Sequence, residues 1–126
     1  MKITAFDPII VTTKSDEAIS VFEALGFERK HAPTNTVANT EVTSNRMKHE
    51  NGYHVDIVQS EKAASGDLLL IRMNVDNFAE AYDILVAHGF KNVHGDETFD
   101  TKTSTSASMI SPSGFMIGLV QHIRED

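Results

Sequence analysis

The sequence contains no cysteine. Disulfides, thiol nucleophiles and Cys-ligated zinc are thereby excluded, and the composition fits a reducing compartment. Basic residues are scarce too: 11 Lys and Arg stand against 18 Asp and Glu, a formal net charge of −7. That balance argues against nucleic acid, whose phosphates demand clustered cations, and against an anionic membrane surface. No apolar run approaches the roughly 20 residues that a membrane-spanning helix needs. The opening residues, MKITAFDP, lack the apolar core of a secretory signal, so a cytoplasmic protein is expected. Catalytic motifs are equally sparse. His31, His49, His88, His94 and His122 fall at turns or element ends and, with His54, form no HxH or HExxH spacing. The hydroxyl-rich run Ser104–Ser108 has no Gly-x-Ser-x-Gly elbow around it, and Gly52, Gly66, Gly89, Gly95 and Gly114 mark turns rather than a phosphate loop.

What the chain does have is a repetition. Asn51–Gln59 reads NGYHVDIVQ and Ser113–Gln121 reads SGFMIGLVQ, 62 residues later in a chain of 126. A period of half the chain implies a duplicated module rather than a solenoid, which needs at least three short repeats. Each copy is a turn signal followed by a period-2 strand. The apolar face Tyr53, Val55, Ile57 returns as Phe115, Ile117, Leu119. The opposite face changes from His54, Asp56, Val58 to Met116, Gly118, Val120. The recurring face reads as core, and the divergent face is where function is sought.

The surrounding elements repeat in the same order, at 40% hydrophobic and 23% charged residues, as befits one soluble domain. Ile3–Thr12 is a first strand, with Pro8 implying an edge or bulge near its start. Ser15 is the expected N-cap of a helix whose stripe is Ala18, Val21, Phe22 and Leu25, with Asp16 and Glu17 in the first turn and Gly26 as its left-handed stop. Strands follow at Glu28–Lys30, Glu41–Lys48 and the opening repeat, with a polar loop at Ala32–Asn39. In the second half the strand is Asp67–Val75. Asn77 caps a helix with Glu80 three residues on, and the stripe is Phe78, Ala81, Tyr82 and Leu85. Gly89–Phe90 ends that helix as Gly26–Phe27 ended the first. Lys91–His94, Ser104–Ser111 and the second repeat are strands, Gly95–Thr103 is a polar loop, and the tail HIRED is expected to fray. Module one therefore covers residues 1–60, a linker 61–66, and module two 67–126. The fold class is α+β: two tandem βαβββ modules.

This doubled module, with helix ends Leu-Gly-Phe-Glu and His-Gly-Phe-Lys and a final Ser-Pro-Ser-Gly-Phe turn, resembles the vicinal oxygen chelate superfamily. That is the glyoxalase / bleomycin resistance protein / extradiol dioxygenase group. The resemblance implies curled mixed sheets around a cleft. It also implies four metal-ligand positions, on the first and last strand of each module and on the face away from the helix. Registering the helices through Ala18 and Ala81 puts Asp7 at the first position (Pro8 if the register slips by one). Asp56 falls at the second, Leu70 at the third and Gly118 at the fourth. Leu70 and Gly118 offer no donor side chain. Two carboxylates suit a loosely held Mg²⁺ or Ca²⁺ and serve poorly for Zn²⁺, Ni²⁺ or Fe²⁺.

No cofactor is therefore expected, and the resemblance implies a metal-independent small-molecule-binding protein of the bleomycin-resistance type. The expected ligand site has apolar walls at Ile9, Val11, Leu70 and Met116, and polar anchors at Asp7, His54, Asp56 and Arg72. Asp56, unfavourable in mid-strand, is either solvated in a wet cleft or meets a ligand cation or donor, or acts as a base. Arg72 is an internal ion-pair partner, a clamp for a carboxylate or a surface residue, and Arg46 resembles it. His54 shares a face with Asp56; it is either a half-exposed strand histidine or, if both line the cleft, half of a pair for proton handling near neutral pH. Met47, Met109 and Met116 read as packing or lining residues. The acidic balance favours a cationic or neutral ligand, and the family likeness implies a homodimer. The alternative is a divalent-metal-dependent lyase, isomerase or dioxygenase with Asp7 and Asp56 as residual ligands.

Overall fold

A computed structural model describes residues 1–31, 34–37 and 40–123. The chain forms two compact units. The N-terminal unit is Asp7–Leu69; the C-terminal unit is Leu70–Asp126 together with Met1–Phe6. Parts of two expected features, residues 32–33 and 38–39 of the polar loop and 124–126 of the tail, lie outside the described residues.

In chain order the elements are β1 (Ile3–Thr12), α1 (Ser15–Ala24), β2 (Phe27–His31), β3 (Thr34–Val37), β4 (Thr40–His49) and β5 (His54–Gln59). A 3-10 turn (Glu61–Ala63) then leads to β6 (Leu68–Val75), α2 (Phe78–Ala87), β7 (Lys91–Asn92), β8 (Phe99–Asp100), β9 (Ser104–Ile110) and β10 (Met116–His122). The expected βαβββ order is present in both halves, and the class is α+β. Each half also carries one short strand that was expected to be loop. β3 pairs antiparallel with β4, and β8 with β9. Their polar sequences, Thr-Asn-Thr-Val and Phe-Asp, give no alternating apolar signal, so backbone pairing with a neighbouring long strand decides the conformation. The first two residues of the tail are not frayed: His122 belongs to β10, and the Ile123 N–H donates to the Thr103 carbonyl at 2.7 Å.

Pairing follows one plan in both units. β5 lies between β4, antiparallel, and β1, parallel, with β2 beyond β4. β10 lies between β9, antiparallel, and β6, parallel, with β7 beyond β9. The recurring strand is thus the interior strand of each half, which is why its inward face had to be conserved in character. Pairing of β1 with β5 starts at Ile9, just past Pro8, so the ring lies outside that ladder.

The cores confirm the assigned faces. Ile19, Met47, Val55 and Ile57 are buried in the N-terminal unit, and Met73, Ala81, Met109, Ile117 and Leu119 lead the core of the C-terminal unit. Tyr53 and Phe115, the first members of each apolar face, are exposed at the turn. On α2 the expected stripe holds: Phe78, Ala81, Tyr82 and Leu85 pack into the core. On α1 it does not. Ser15, Ala18, Ile19 and Phe22 face inward, whereas Val21 and Leu25 are 56% and 62% exposed.

A paired glutamine sets these helix orientations. The Ser15 N–H donates to Gln59 Oε1 at 3.0 Å, and the Phe78 N–H donates to Gln121 Oε1 at 2.6 Å. In each half, the last residue of the repeated Val-Gln thus satisfies one of the free N–H groups that open a helix. This corrects the expected cap of α1. Ser15 is the first helical residue, Lys14 precedes it without a side-chain cap bond, and Gln59 does the work expected of the serine. Asn77 caps α2 as foreseen, its Oδ1 accepting from the Glu80 N–H at 3.1 Å. Gln59→Ala and Gln121→Ala are each expected to lower stability by about 1 kcal/mol, the worth of a cap or a net hydrogen bond. Urea unfolding followed by circular dichroism measures this, and unchanged midpoints would show that water replaces the amide at no cost.

Among the described residues no helix is long and apolar enough to cross a membrane.

Candidate functional site

Strand alternation divides each half-sheet into a side facing its helix and a side facing away. In the N-terminal unit Val55 and Ile57 of β5, Met47 of β4 and Ile10 of β1 take the helix side. Asp56 then points the other way. The ladder aligns it with Arg46 on β4 and with Ile9 on β1. Asp7, Ile9, Val11, His54 and Asp56, all expected site residues, therefore share one face, joined by Arg46.

Asp7 and Asp56 are nearly sealed from water, at 5% and 6% exposure. They are hydrogen-bonded to each other. Arg46 Nε donates to Asp56 Oδ1 at 3.2 Å, while the guanidinium side stays in reach of solvent. Two acids this close share a proton, because a second charge beside the first is disfavoured. Burial pushes the Asp56 carboxyl above its ordinary value of 3.8, the Asp7 charge adds to the rise, and the Arg46 guanidinium opposes it. Burial raises Asp7 as well, against the pull of Arg46, the Asp56 hydrogen bond and the positive potential of His54. The face is thus a carboxyl pair holding a proton above the usual carboxylate range, beside one fixed cation.

This arrangement has a stability signature. Groups whose folded pKa is raised stabilise the fold fully below the unfolded value and lose that contribution as pH rises through the folded value. Asp7→Asn removes the like charge while leaving Asp56 with Arg46. The variant is therefore expected to be more stable than wild type near pH 7, by about 1 kcal/mol, with the advantage disappearing toward pH 4. Thermal unfolding across that interval reads the difference. A variant less stable at neutral pH would mean that both acids are held charged by partners.

In the C-terminal unit, Met73, Val75, Ile117 and Leu119 take the side of α2. Leu70, Arg72 and Asn74 of β6 and Met116, Gly118 and Val120 of β10 take the other, aligned as Leu70 with Met116, Arg72 with Gly118 and Asn74 with Val120. Leu70, Arg72 and Met116, the remaining expected residues, thus share a face with one another. The registers also confirm which positions correspond within the duplication. Asp56 pairs with the residue two beyond Asp7, and Gly118 with the residue two beyond Leu70.

Two residues of these faces were undervalued from sequence. Arg46 was set beside Arg72 without a register, yet the hairpin signals it: the Glu50–Gly52 turn brackets β4 and β5, and counting outward aligns Lys48 with His54 and Arg46 with Asp56. Asn74 shares a face with Arg72, and nothing in its sequence neighbourhood distinguishes it.

The four positions named from the resemblance can be tested as a metal site. The N-terminal pair supplies two carboxyls bonded to each other, one of them, Asp56, also to a guanidinium, and the C-terminal pair, Leu70 and Gly118, supplies no side-chain donor. Among the described residues no group of three or more His, Asp or Glu is placed to hold an ion. These residues do not fit a transition metal.

The fold itself is that of the glyoxalase/bleomycin resistance/dioxygenase superfamily. Among solved structures, the chain is similar to a methylmalonyl-CoA epimerase from Mycobacterium tuberculosis, with 15% identity, a TM-score of 0.71, and coverage of 97% of this chain and 90% of that one. It is similar to a glyoxalase/bleomycin resistance protein/dioxygenase superfamily member from Vibrio splendidus 12B01, at 16% identity, TM-score 0.63, and 95% and 99% coverage. It also resembles glyoxalase I from Zea mays, at 12% identity and TM-score 0.68, covering 98% of this chain and 44% of that one. The chain likewise spans 50% of a variant of 4-hydroxymandelate synthase from Streptomyces coelicolor. No family model and no curated protein sequence matches the chain.

Proposed function

We propose that this protein binds a small molecule without a metal, on the sheet face that carries Asp7, Asp56 and Arg46, with His54 beside them and Ile9 and Val11 as apolar wall. The carboxyl pair with a guanidinium at 3.2 Å carries this reading. A fold does not imply an activity, so the reading rests on the residues of the face. The pair offers acceptors and one shared proton, and the net charge of −7 adds a negative field. Both favour a neutral or cationic ligand over an anion. A cytoplasmic homodimer, joined through exposed apolar residues such as Phe6, Leu69 and Phe115, completes the proposal.

Equilibrium dialysis against Zn²⁺, Ni²⁺, Mn²⁺ and Mg²⁺, followed by elemental analysis, tests it. The expected result is far below one equivalent of any metal after exchange into chelator-free buffer. One retained equivalent of a transition metal would overturn the proposal. A thermal-shift screen of cationic and neutral small molecules then reads binding as a raised melting point.

The raised carboxyl pair also favours a second reading, proton transfer to or from the bound ligand. A carboxyl titrating above its ordinary range is a better base near neutral pH. Deuterium exchange into a bound ligand, lost in Asp56→Asn, is the result that would establish it.

A further inference from the structure

Asn74 is 8% exposed, and its Oδ1 is buried with no hydrogen-bond partner. Native folds rarely keep such an acceptor unless something outside the chain fills it. Its flanking residues, Met73 and Val75, are buried in the core beside α2, so Asn74 points to the opposite face. On that face Arg72, Gly118, Ser108 and Val120 are all half-buried, so solvent reaches its edge without reaching Asn74 Oδ1. The ladder sets Arg72, Gly118 and Ser108 in one row across three strands. Gly118 puts no side chain between the guanidinium-bearing and hydroxyl-bearing neighbours, which leaves a notch in the row. Asn74 borders that notch two residues along β6.

We propose that this notch is a subsite for a neutral amide-type group, one that presents a carbonyl oxygen and an N–H together. It rests on the reading above that the faces turned away from the helices bind small molecules. The chemistry follows from the groups present. Asn74 Oδ1 requires a donor, which the N–H supplies. The Arg72 guanidinium and the Ser108 hydroxyl donate to the carbonyl oxygen. Leu70 and Met116, one row away, give apolar contact for the rest of the molecule. Neutrality is favoured because Asn74 Oδ1 needs a donor, and a free carboxylate offers none and sets a negative oxygen against it.

The duplication makes the contrast sharp. Asp56 and Arg46 of the N-terminal unit correspond to Gly118 and Ser108 here, and Val11 corresponds to Asn74. The charged pair of one half is replaced by a glycine and a serine in the other, where an amide stands in place of the valine.

Nitrogen-resolved NMR titration of the full chain with propionamide tests the proposal, with propionate as the charged comparison. Propionamide at about 100 mM, a concentration suited to a fragment of so few atoms, is expected to shift the amide signals of residues 72–75 and 118–120. Propionate should shift them at least about fivefold less at the same concentration. Asn74→Leu keeps the volume and removes the acceptor, and is expected to abolish the shifts. Ser108→Ala, at a half-buried position, should weaken them several-fold and guards against an Asn74→Leu variant that fails to fold. Equal shifts in both variants and wild type, stronger binding of propionate, or no shift with either probe would overturn the subsite and leave Asn74 to an internal water. Shifts confined to residues around Arg46 and Asp56 would overturn it while leaving the earlier reading intact. Retained metal in the dialysis experiment would strike that earlier reading instead.

Discussion

Arg46→Met is expected to lower stability by about 2 kcal/mol near pH 7, and by much less near pH 4.5. Methionine keeps the apolar stem, so the change isolates the charge. Without the guanidinium, Asp56 and Asp7 lose the cation that holds their carboxyls down against burial. Both titrations then move further upward. The folded state binds protons more tightly than the unfolded chain, and stability falls as pH rises through that raised range. Breaking a fully buried pair costs about 3–5 kcal/mol, and the smaller figure here reflects an Arg46 side chain 37% exposed, whose interaction solvent screens. Urea unfolding at the two pH values measures the gap between wild type and variant. A gap that does not widen with pH would mean that Arg46 contributes by packing alone, and the carboxyl pair would lose its standing as the centre of the site.

Leu119→Ala should be costlier, at about 3 kcal/mol within the 2–5 range for emptied core positions. Its side chain is fully buried on the interior strand of the C-terminal unit, among Met73, Met109 and Ile117. Ile57→Ala removes the corresponding residue of the N-terminal unit, also at 0% exposure, and a loss of the same order is expected. Denaturant midpoints give both values. A loss below about 1 kcal/mol at either position would mean that the site collapses around the deletion, which a close-packed interior resists.

Much of the architecture was legible because the chain states it twice. The Gly-aromatic-x-apolar-x-apolar-Val-Gln repeat, the helix stops at Gly26 and Gly89, and the order of elements led to two βαβββ halves, and the half-sheets pair to the same plan. The misread stripe of α1 is instructive. Ala18, Val21, Phe22, Leu25 and Ser15, Ala18, Ile19, Phe22 satisfy helical spacing equally well. Carrying the α2 stripe back by the helix offset of 63 selects the second set, because Phe78, Ala81, Tyr82 and Leu85 fall on Ser15, Ala18, Ile19 and Phe22. The repeat held the answer that local periodicity could not.

The site was legible in part, for a different reason. Alternation along a strand assigns Asp7, Asp56, Leu70 and Arg72 to the side away from the helix, and that side they occupy. Which residue neutralises Asp56 is a question of register between strands. Only the turn before Tyr53, counted outward, brings Arg46 alongside. The orphaned carbonyl of Asn74 carries no pattern at all, since an asparagine in a strand looks the same whether or not its oxygen finds a partner.

The two glutamine clasps have an evolutionary consequence. Because Gln59 and Gln121 fasten the end of each interior strand to the opening turn of its own helix, the joint between sheet and helix does not depend on what the outer side of the sheet displays. Substitutions there change stability through their own charges and contacts but leave this joint in place. A gene duplicated in this form starts with two equivalent display surfaces on independently secured supports, free to drift toward different tasks, and an acid beside an arginine in one half and a bare glycine in the other are the kind of divergence such freedom permits.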